Sequence, residues 1–271
     1  MGRPRFYSLN ENYFEKINTP EKAYIVGFIY ADGSVYKNYL SICLSMKDIE
    51  IIKFIKKELN YGGPYKIKKH RDKEEVSLTI SSIKMVLDLK NIGIINNKTY
   101  ESKNLPRIPK SLIGDMLRGL FDGDGSIYPN RKNNKIVEYT VNFSSNKFIL
   151  EKIKKLLLIY NISSSNIRYR RKDSIYSGML DIKGSINIEN IYNLMYKEGC
   201  FCLLRKKKRF YEFFNIIHNM KHRNLNNTII NQIKEFYLSG MKQCEIYKKL
   251  NMPFSSVRGC IQRLRKKGLV T

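Results

Sequence analysis

Apolar residues follow two rhythms along this chain. Leu40, Ile42, Leu44 and Met46 alternate with Tyr39, Ser41, Cys43 and Ser45, and Val76, Leu78 and Ile80 alternate with Ser77, Thr79 and Ser81. A period of two predicts strands with one buried and one open face, here in two hairpins. Between and after them the period lengthens to that of amphipathic helices, over residues 47–59 and near 82–91. Ahead of the first hairpin, Thr19-Pro20-Glu21 is a helix start with a cap, a first-turn proline and an early acid. That helix runs to about Ala31. A loop over 94–110 closes the unit, and residues 1–19 are polar and expected to be extended.

The order then recurs. A helix is predicted over 111–122. A strand follows in which Val137, Tyr139, Val141 and Phe143 alternate with Glu138, Thr140, Asn142 and Ser144. A helix over 146–160, strands over 166–172 and 175–183, and helices over 185–218 complete the second unit. Each unit reads α-β-β-α-β-β-α, which predicts an α+β fold with antiparallel sheets packed on helices by one face only. The expected architecture is two pseudo-symmetric units whose sheets form a saddle. Ile229, Ile230, Ile233 and Phe236, then Glu245 to Leu250, then Ser255 to Lys267 mark three short helices beyond them. The expected boundaries are an arm over 1–19, units over 20–108 and 109–222, and a helix-turn-helix domain over 223–271.

One pattern occurs twice at the head of these units. Ile25-Val-Gly-Phe-Ile-Tyr-Ala-Asp32-Gly33 returns as Leu117-Arg-Gly-Leu-Phe-Asp-Gly-Asp124-Gly125, 124 − 32 = 92 residues later. Gly27 and Ala31 share a helix face, as do Gly119 and Gly123, so each helix carries a strip almost without side chains. Glycine inside a helix costs about 1 kcal/mol relative to alanine, a cost tolerated where another backbone must come close. Gly33 and Gly125 stand where left-handed caps are expected. Asp32 and Asp124 then occupy the last turn, where the helix dipole disfavours an anion. If the strips pack, two carboxylates meet at one place, which suits a hard divalent cation between them. The pattern reads as an Mg2+ site held by Asp32 and Asp124; position 31, an alanine, is given no ligand role. A calcium loop starting at Asp122 is rejected, because its sixth and twelfth positions are Ile127 and Asn133 rather than Gly and Glu.

Charge sharpens this picture. Lys and Arg number 50 against 24 Asp and Glu, a net charge of +26. Such a surplus favours a polyanionic partner, nucleic acid before an anionic membrane surface. Apolar runs fall short of a membrane span, and the polar start is unlike a signal peptide. Five cysteines without framework spacing fit a reducing compartment. Cys200-Phe-Cys202 with His218 and His222 lacks the spacing of a zinc finger. The strand faces predicted to be open carry Lys66, Lys68 and His70 in one unit and Arg168, Arg170, Lys172 and Lys183 in the other, and these are the expected DNA contacts. Residues 224–271 carry nine Lys/Arg and two Glu, 9 − 2 = +7. A third helix there would enter a major groove with Arg258, Gln262 and Arg265. Gly2-Arg3-Pro4-Arg5 is similar to an AT-hook core or to basic arms that enter minor grooves, which adds Arg3 and Arg5, with a disordered tail as the alternative.

With both copies of the motif in place, residues 1–222 resemble the LAGLIDADG homing endonucleases in their single-chain, two-motif form. The resemblance implies that Asp32 and Asp124 bind the catalytic metal. It implies a monomer that makes one cut in each strand of a long asymmetric DNA site. Mg2+ is the expected cofactor, Mn2+ is expected to replace it, and Ca2+ is expected to support binding without cleavage. The first copy departs from the pattern at Tyr30, which is not the family's ligand position. The family also places a basic residue late in each repeat, which here implies Lys98 and Lys206 as catalytic residues, with Lys207 rivalling Lys206. Alternatives are an intron RNA maturase, with host intron RNA as partner, and a non-catalytic DNA-binding regulator. The setting implied is the cytoplasm of a bacterial or phage-infected cell, near the nucleoid, or an organelle, with an intron or intein as host element.

Overall fold

The computed structural model describes residues 5–70, 73–96, 98–133, 135–169, 175–223, 227–250, 252 and 254–270. Its first compact unit is Met1–Tyr211 and its second is Glu212–Thr271. The first holds two four-stranded antiparallel sheets. In chain order its elements begin with α1 (Pro20–Asp32), β1 (Gly33–Tyr36), β2 (Tyr39–Ser45), α2 (Ile49–Glu58), β3 (Lys66–His70), β4 (Lys73–Ser81), α3 (Ile83–Asn91) and the short α4 (Lys98–Glu101). The series repeats as α5 (Ile113–Asp124), β5 (Gly125–Lys132), β6 (Lys135–Ser145), α6 (Lys147–Ile159), β7 (Arg168–Tyr169), β8 (Gly178–Lys183) and α7 (Ser185–Met195). The sheets have the same order strand for strand, β1-β2-β4-β3 and β5-β6-β8-β7. The α-β-β-α-β-β-α repeat is therefore present in the molecule.

Local chemistry accounts for these boundaries. Thr19 caps α1 by accepting from the Lys22 amide, with Pro20 in the first turn. Ser82 and Asn146 cap α3 and α6 in the same way through the Met85 and Ile149 amides. Every residue of α1 from Ala23 to Tyr30 is buried, so this helix has no solvent face and runs through the interior. Around it, Leu40, Ile42, Val76, Leu78 and Ile80 face Ile51, Ile52, Ile55, Met85, Val86 and Leu89, all buried. The alternate residues Cys43 and Thr79 are exposed and Ser41 and Ser77 half-buried, which gives the sheet its open polar face.

Four expectations change. The segment predicted to be an extended arm packs on the first unit from residue 5 onward. Tyr13, Phe14 and Ile17 are buried, and Arg5 donates to the Ser81 carbonyl at 2.7 Å and pairs with Glu11. Each motif helix passes directly into a strand at Gly33 or Gly125, so β1 and β5 start where only a cap was expected. The helical stretch predicted over 185–218 is broken between Met195 and Leu204, and a helix α8 (Leu204–Arg223) follows the break. The strand predicted over 166–172 begins at Arg168 rather than 166, and its part from 170 onward lies outside the described residues.

The second compact unit contains the end of α8, then α9 (Asn227–Leu238), α10 (Gln243–Lys249) and α11 (Phe254–Lys266). Its core is Ile233, Ile246, Val257, Cys260, Ile261, Leu264 and Val270. Gly240 adopts φ +83° after α9, a left-handed turn that ends the helix. The Glu245 carboxylate accepts from the Lys242 amide at 2.9 Å and starts α10.

Candidate active site and nucleic-acid interface

Bare backbone brings the two motif helices together. A Cβ built on Gly27 would overlap the Met116 carbonyl oxygen, and one on Gly119 would overlap the Tyr24 carbonyl oxygen. At the far end, a Cβ on Gly123 would overlap that of Ala31 and lie 3.2 Å from Asp32 Oδ2. The Asp32 carboxylate thus sits beside the last turn of α5, one residue before Asp124. Both aspartates are exposed and each is the last residue of its helix. Gly33 and Gly125 are not left-handed caps. Their φ values are −83° and −95° with extended ψ. Glycine is needed there for space, since a Cβ would lie 2.8 Å from the carbonyl oxygens of Ile29 and Phe121 respectively.

Lys206 closes the α5 end of this arrangement. Its ammonium donates to the carbonyls of Phe121 at 2.6 Å, Asp122 at 2.8 Å, Gly123 at 3.2 Å and Gly125 at 2.7 Å. Those of Asp122 and Gly123 are among the carbonyls that a helix end leaves without partners, while Phe121 also accepts the Gly125 amide, and a cation among them offsets the dipole that disfavours Asp124. Burial pulls the Lys206 ammonium down to about 8, against the pull of the Asp122 charge. The side chain is only 5% exposed, so Lys206 touches the frame of the site rather than its open surface. Lys207 lies with its ammonium 5.8 Å and 5.9 Å from the ring centroids of Tyr196 and Tyr211. Lys98 begins α4, and its side chain lies outside the described residues.

The break between α7 and α8 supplies groups that periodicity did not reveal. Phe201 stacks on Phe54 of α2 at 3.8 Å and meets Tyr24 edge-on. Its carbonyl accepts from Arg118 Nε at 3.0 Å, while Arg118 Nη1 bonds Asp115 and the Met195 carbonyl, each at 2.6 Å. Both members of this ion pair are buried. Asp122, equally buried, accepts from Tyr24 Oη and the Leu203 amide. Arg205 forks onto both oxygens of Asp48 at 2.8 and 2.7 Å. The Asp48 carboxylate raises the Arg205 guanidinium pKa, and Asp122 and Asp32 add to that. A cation half-exposed near Asp32 is thus an arginine, beside the lysines that the sequence suggested.

The donor set fits a hard divalent cation. Two exposed carboxylates at adjacent helix ends offer oxygen ligands of the type Mg2+ takes, with water and phosphate oxygens completing its octahedron. Among the described residues, no group of three or more His, Cys, Asp or Glu side chains stands close enough to hold a metal ion without such outside ligands.

The predicted DNA contacts divide by location. Lys66 and Lys68 pair with Ser77 and Glu75 and therefore share the open face of the first sheet. Glu75 beside Lys68, and a Lys69–Glu74 ion pair at 2.8 Å, temper the charge of that edge. Arg168 and Lys183 are exposed on the open face of the second sheet. His70 ends β3 and its side chain is outside the described residues, as are Arg3, Arg170 and Lys172 altogether. Arg258 and Gln262 are exposed along α11, whereas Arg265 is tied to Tyr237 of α9.

Comparison with known proteins agrees with this geometry. Residues 111–196 match the LAGLIDADG-like domain family. The fold is that of the LAGLIDADG homing endonucleases. Similar solved structures include I-GzeII in complex with its DNA target, with TM-score 0.53 and 15% identity over 79% of this chain and 94% of that one. I-LtrWI bound to target DNA matches with TM-score 0.52 and 16% identity over 79% and 93%. Two proteins of Methanocaldococcus jannaschii also share sequence. The ATP-dependent DNA helicase Hel308 is 30% identical over 141 residues, 51% of this chain. A probable translation initiation factor IF-2 is 26% identical over 217 residues, 73% of this chain. The chain spans only 11% and 17% of the length of these two relatives.

Proposed function

We propose that this chain, which carries a LAGLIDADG-like domain and has the fold of the homing endonucleases, is a site-specific double-strand DNA endonuclease. The observation that carries the reading is the meeting of Asp32 with the Asp124 end of α5, across helices whose backbones touch. Asp32 and Asp124 would hold divalent cations, expected to be Mg2+. A bound cation of that kind supplies Lewis-acid charge at a phosphate oxygen and lowers the pKa of water. The chain's own part is to fix two carboxylates rigidly and to hold the α5 terminus through Lys206. Lys98 remains a proposed active-site cation.

The two open sheet faces would lie along the duplex, with Lys66, Lys68, Arg168 and Lys183 against it, and α11 would add a separate contact. With the whole repeat in one chain, a monomer suffices for a cut in each strand. Two relatives with unlike names, a helicase and a translation factor, share a segment similar to this chain. That supports a segment that resides in unrelated hosts, as an intein-associated element does.

The test is selection of cleaved sites from a randomised duplex library with Mg2+, repeated with Ca2+. Cleavage is expected with Mg2+, and binding alone with Ca2+. Asp32→Asn and Asp124→Asn variants that cut the selected site as well as the parent would overturn the assignment.

A further inference from the structure

The open face of the second sheet holds a buried acid beneath an exposed arginine. Asp181 on β8 lies opposite Asn142 of β6, and Arg168 on β7 lies opposite Met179 of β8. Leu180 and Ile182 point into the core, so Asp181 and Lys183 belong to the open face. Asp181 is nevertheless 3% exposed, because Arg168 covers it. Arg168 Nε and Nη2 both donate to Asp181 Oδ2, at 2.9 and 2.6 Å. The arginine side chain itself remains 58% exposed. It borders a concavity of about 390 Å³ with Tyr128, Asn130, Thr140 and Lys183.

This pairing spends two of the five guanidinium N–H groups, and the Tyr128 hydroxyl hydrogen-bonds the same guanidinium and helps to hold it in place. Among the described residues about two N–H groups are left for a ligand, enough to meet two acceptors side by side. Rotamer freedom, the main cost of using a long side chain, is removed before any ligand arrives. A phosphate clamp gains nothing from a buried carboxylate beside its cation, since the acid offsets the attraction. A base reader does gain, because its fork must be aimed. Guanine presents O6 and N7 as adjacent acceptors in the major groove.

We propose that Arg168, aimed by Asp181, reads a guanine in the major groove of the target, an inference that rests on the DNA-binding reading above. Asp181 is a positioning residue, and Arg168 is the one that touches the base.

The test uses the full chain, its selected duplex in Ca2+, and a panel of duplexes with each base pair substituted in turn. The parent is expected to show one G·C position where substitution weakens binding roughly 10- to 100-fold. Arg168→Lys, which keeps the charge over Asp181 and loses the fork, should remove that preference and leave the other positions unchanged. Asp181→Asn should remove it at the same position. Should Asp181→Asn fail to fold in a thermal melt, the exposed Arg168→Lys change decides alone. Unchanged base profiles overturn the proposal while DNA binding stands. So does a uniform loss by Arg168→Lys with a shallower salt dependence, which marks a phosphate contact. If the parent binds no duplex, the DNA reading itself falls.

Discussion

Tyr24 on α1 and Asp122 on α5, 98 positions apart in the chain, share a 2.9 Å hydrogen bond at the crossing of the two helices, the phenol donating and the carboxylate accepting. The Leu203 amide donates to the same oxygen at 2.8 Å, and Oδ1 has no partner among the described residues. Burial lifts the Asp122 pKa to about 6, while the Leu203 amide, Lys206 and Tyr24 pull it back. A carboxyl raised above its unfolded pKa of about 3.9 binds its proton more tightly in the folded state. Its stabilising contribution is therefore complete below about pH 4 and lost as pH rises through 6. About two pKa units correspond to ~3 kcal/mol. Asp122→Asn should gain on the parent by about that amount between pH 4 and pH 7, read from urea midpoints. A difference that does not change with pH would show that Asp122 ionises without cost.

Gly119→Ala offers a test of the backbone contact. Alanine favours an isolated helix by about 1 kcal/mol, yet its methyl would overlap the Tyr24 carbonyl oxygen. Overpacking against backbone typically costs about 1–3 kcal/mol, and the obstacle here is not a flexible side chain. The variant should melt below the parent and lose cleavage together with stability. A higher melting temperature would mean that α1 and α5 are not in contact there.

Lys206 and Asp124 predict separable failures. Lys206→Met leaves carbonyls of Phe121, Asp122, Gly123 and Gly125 without their shared donor. Phe121 keeps the Gly125 amide, and each buried group left without a partner costs about 1–3 kcal/mol, so a stability loss of a few kcal/mol should be visible in a denaturant titration. Asp124 is exposed, and Asp124→Asn should keep the parent's stability and its DNA affinity in Ca2+ while abolishing cleavage in Mg2+. If Lys206→Met instead kept full stability and lost only cleavage, Lys206 would act in the chemistry rather than in holding the helix end.

Much of the fold is legible in sequence because each strand keeps one buried face. Leu40, Ile42 and Leu44 alternate so regularly that their strand is predictable without a partner. The doubled motif is legible for a similar reason: a strip of Gly27, Ala31, Gly119 and Gly123 has no local rationale and demands close contact. What escapes is chemistry made by long-range pairing. The burial of Arg118 has no local sign in the sequence, because Asp115, Phe201 and Met195 enclose it only in the fold. Lys206 reads as a site cation until its ammonium is found among backbone carbonyls, which leave no trace in sequence. The break after Met195 is hidden because Cys200-Phe-Cys202-Leu203 is apolar enough to continue a helix, yet it packs as a loop against α1, α2 and α5.

Gly259 makes the opposite prediction to Gly119. It lies inside α11, where Val257, Cys260, Ile261 and Leu264 point to the core and Arg258, Gln262, Arg263 and Lys266 are exposed. At 100° per residue, Gly259 falls near the centre of the exposed face, and a Cβ there would meet nothing within 4 Å among the described residues. Among the described residues, nothing offsets the helix cost of this glycine. Gly259→Ala should therefore stabilise α11 by about 1 kcal/mol. Amide hydrogen exchange along α11 in the full chain should slow roughly fivefold. An unchanged or faster exchange would show that Gly259 is held by a contact inside the protein. Measured beside it, an Arg258→Ala, Gln262→Ala double variant should keep the parent's exchange rates and lose affinity for the selected duplex. Arg265→Ala should instead loosen the α9–α11 contact, because Arg265 is held by Tyr237.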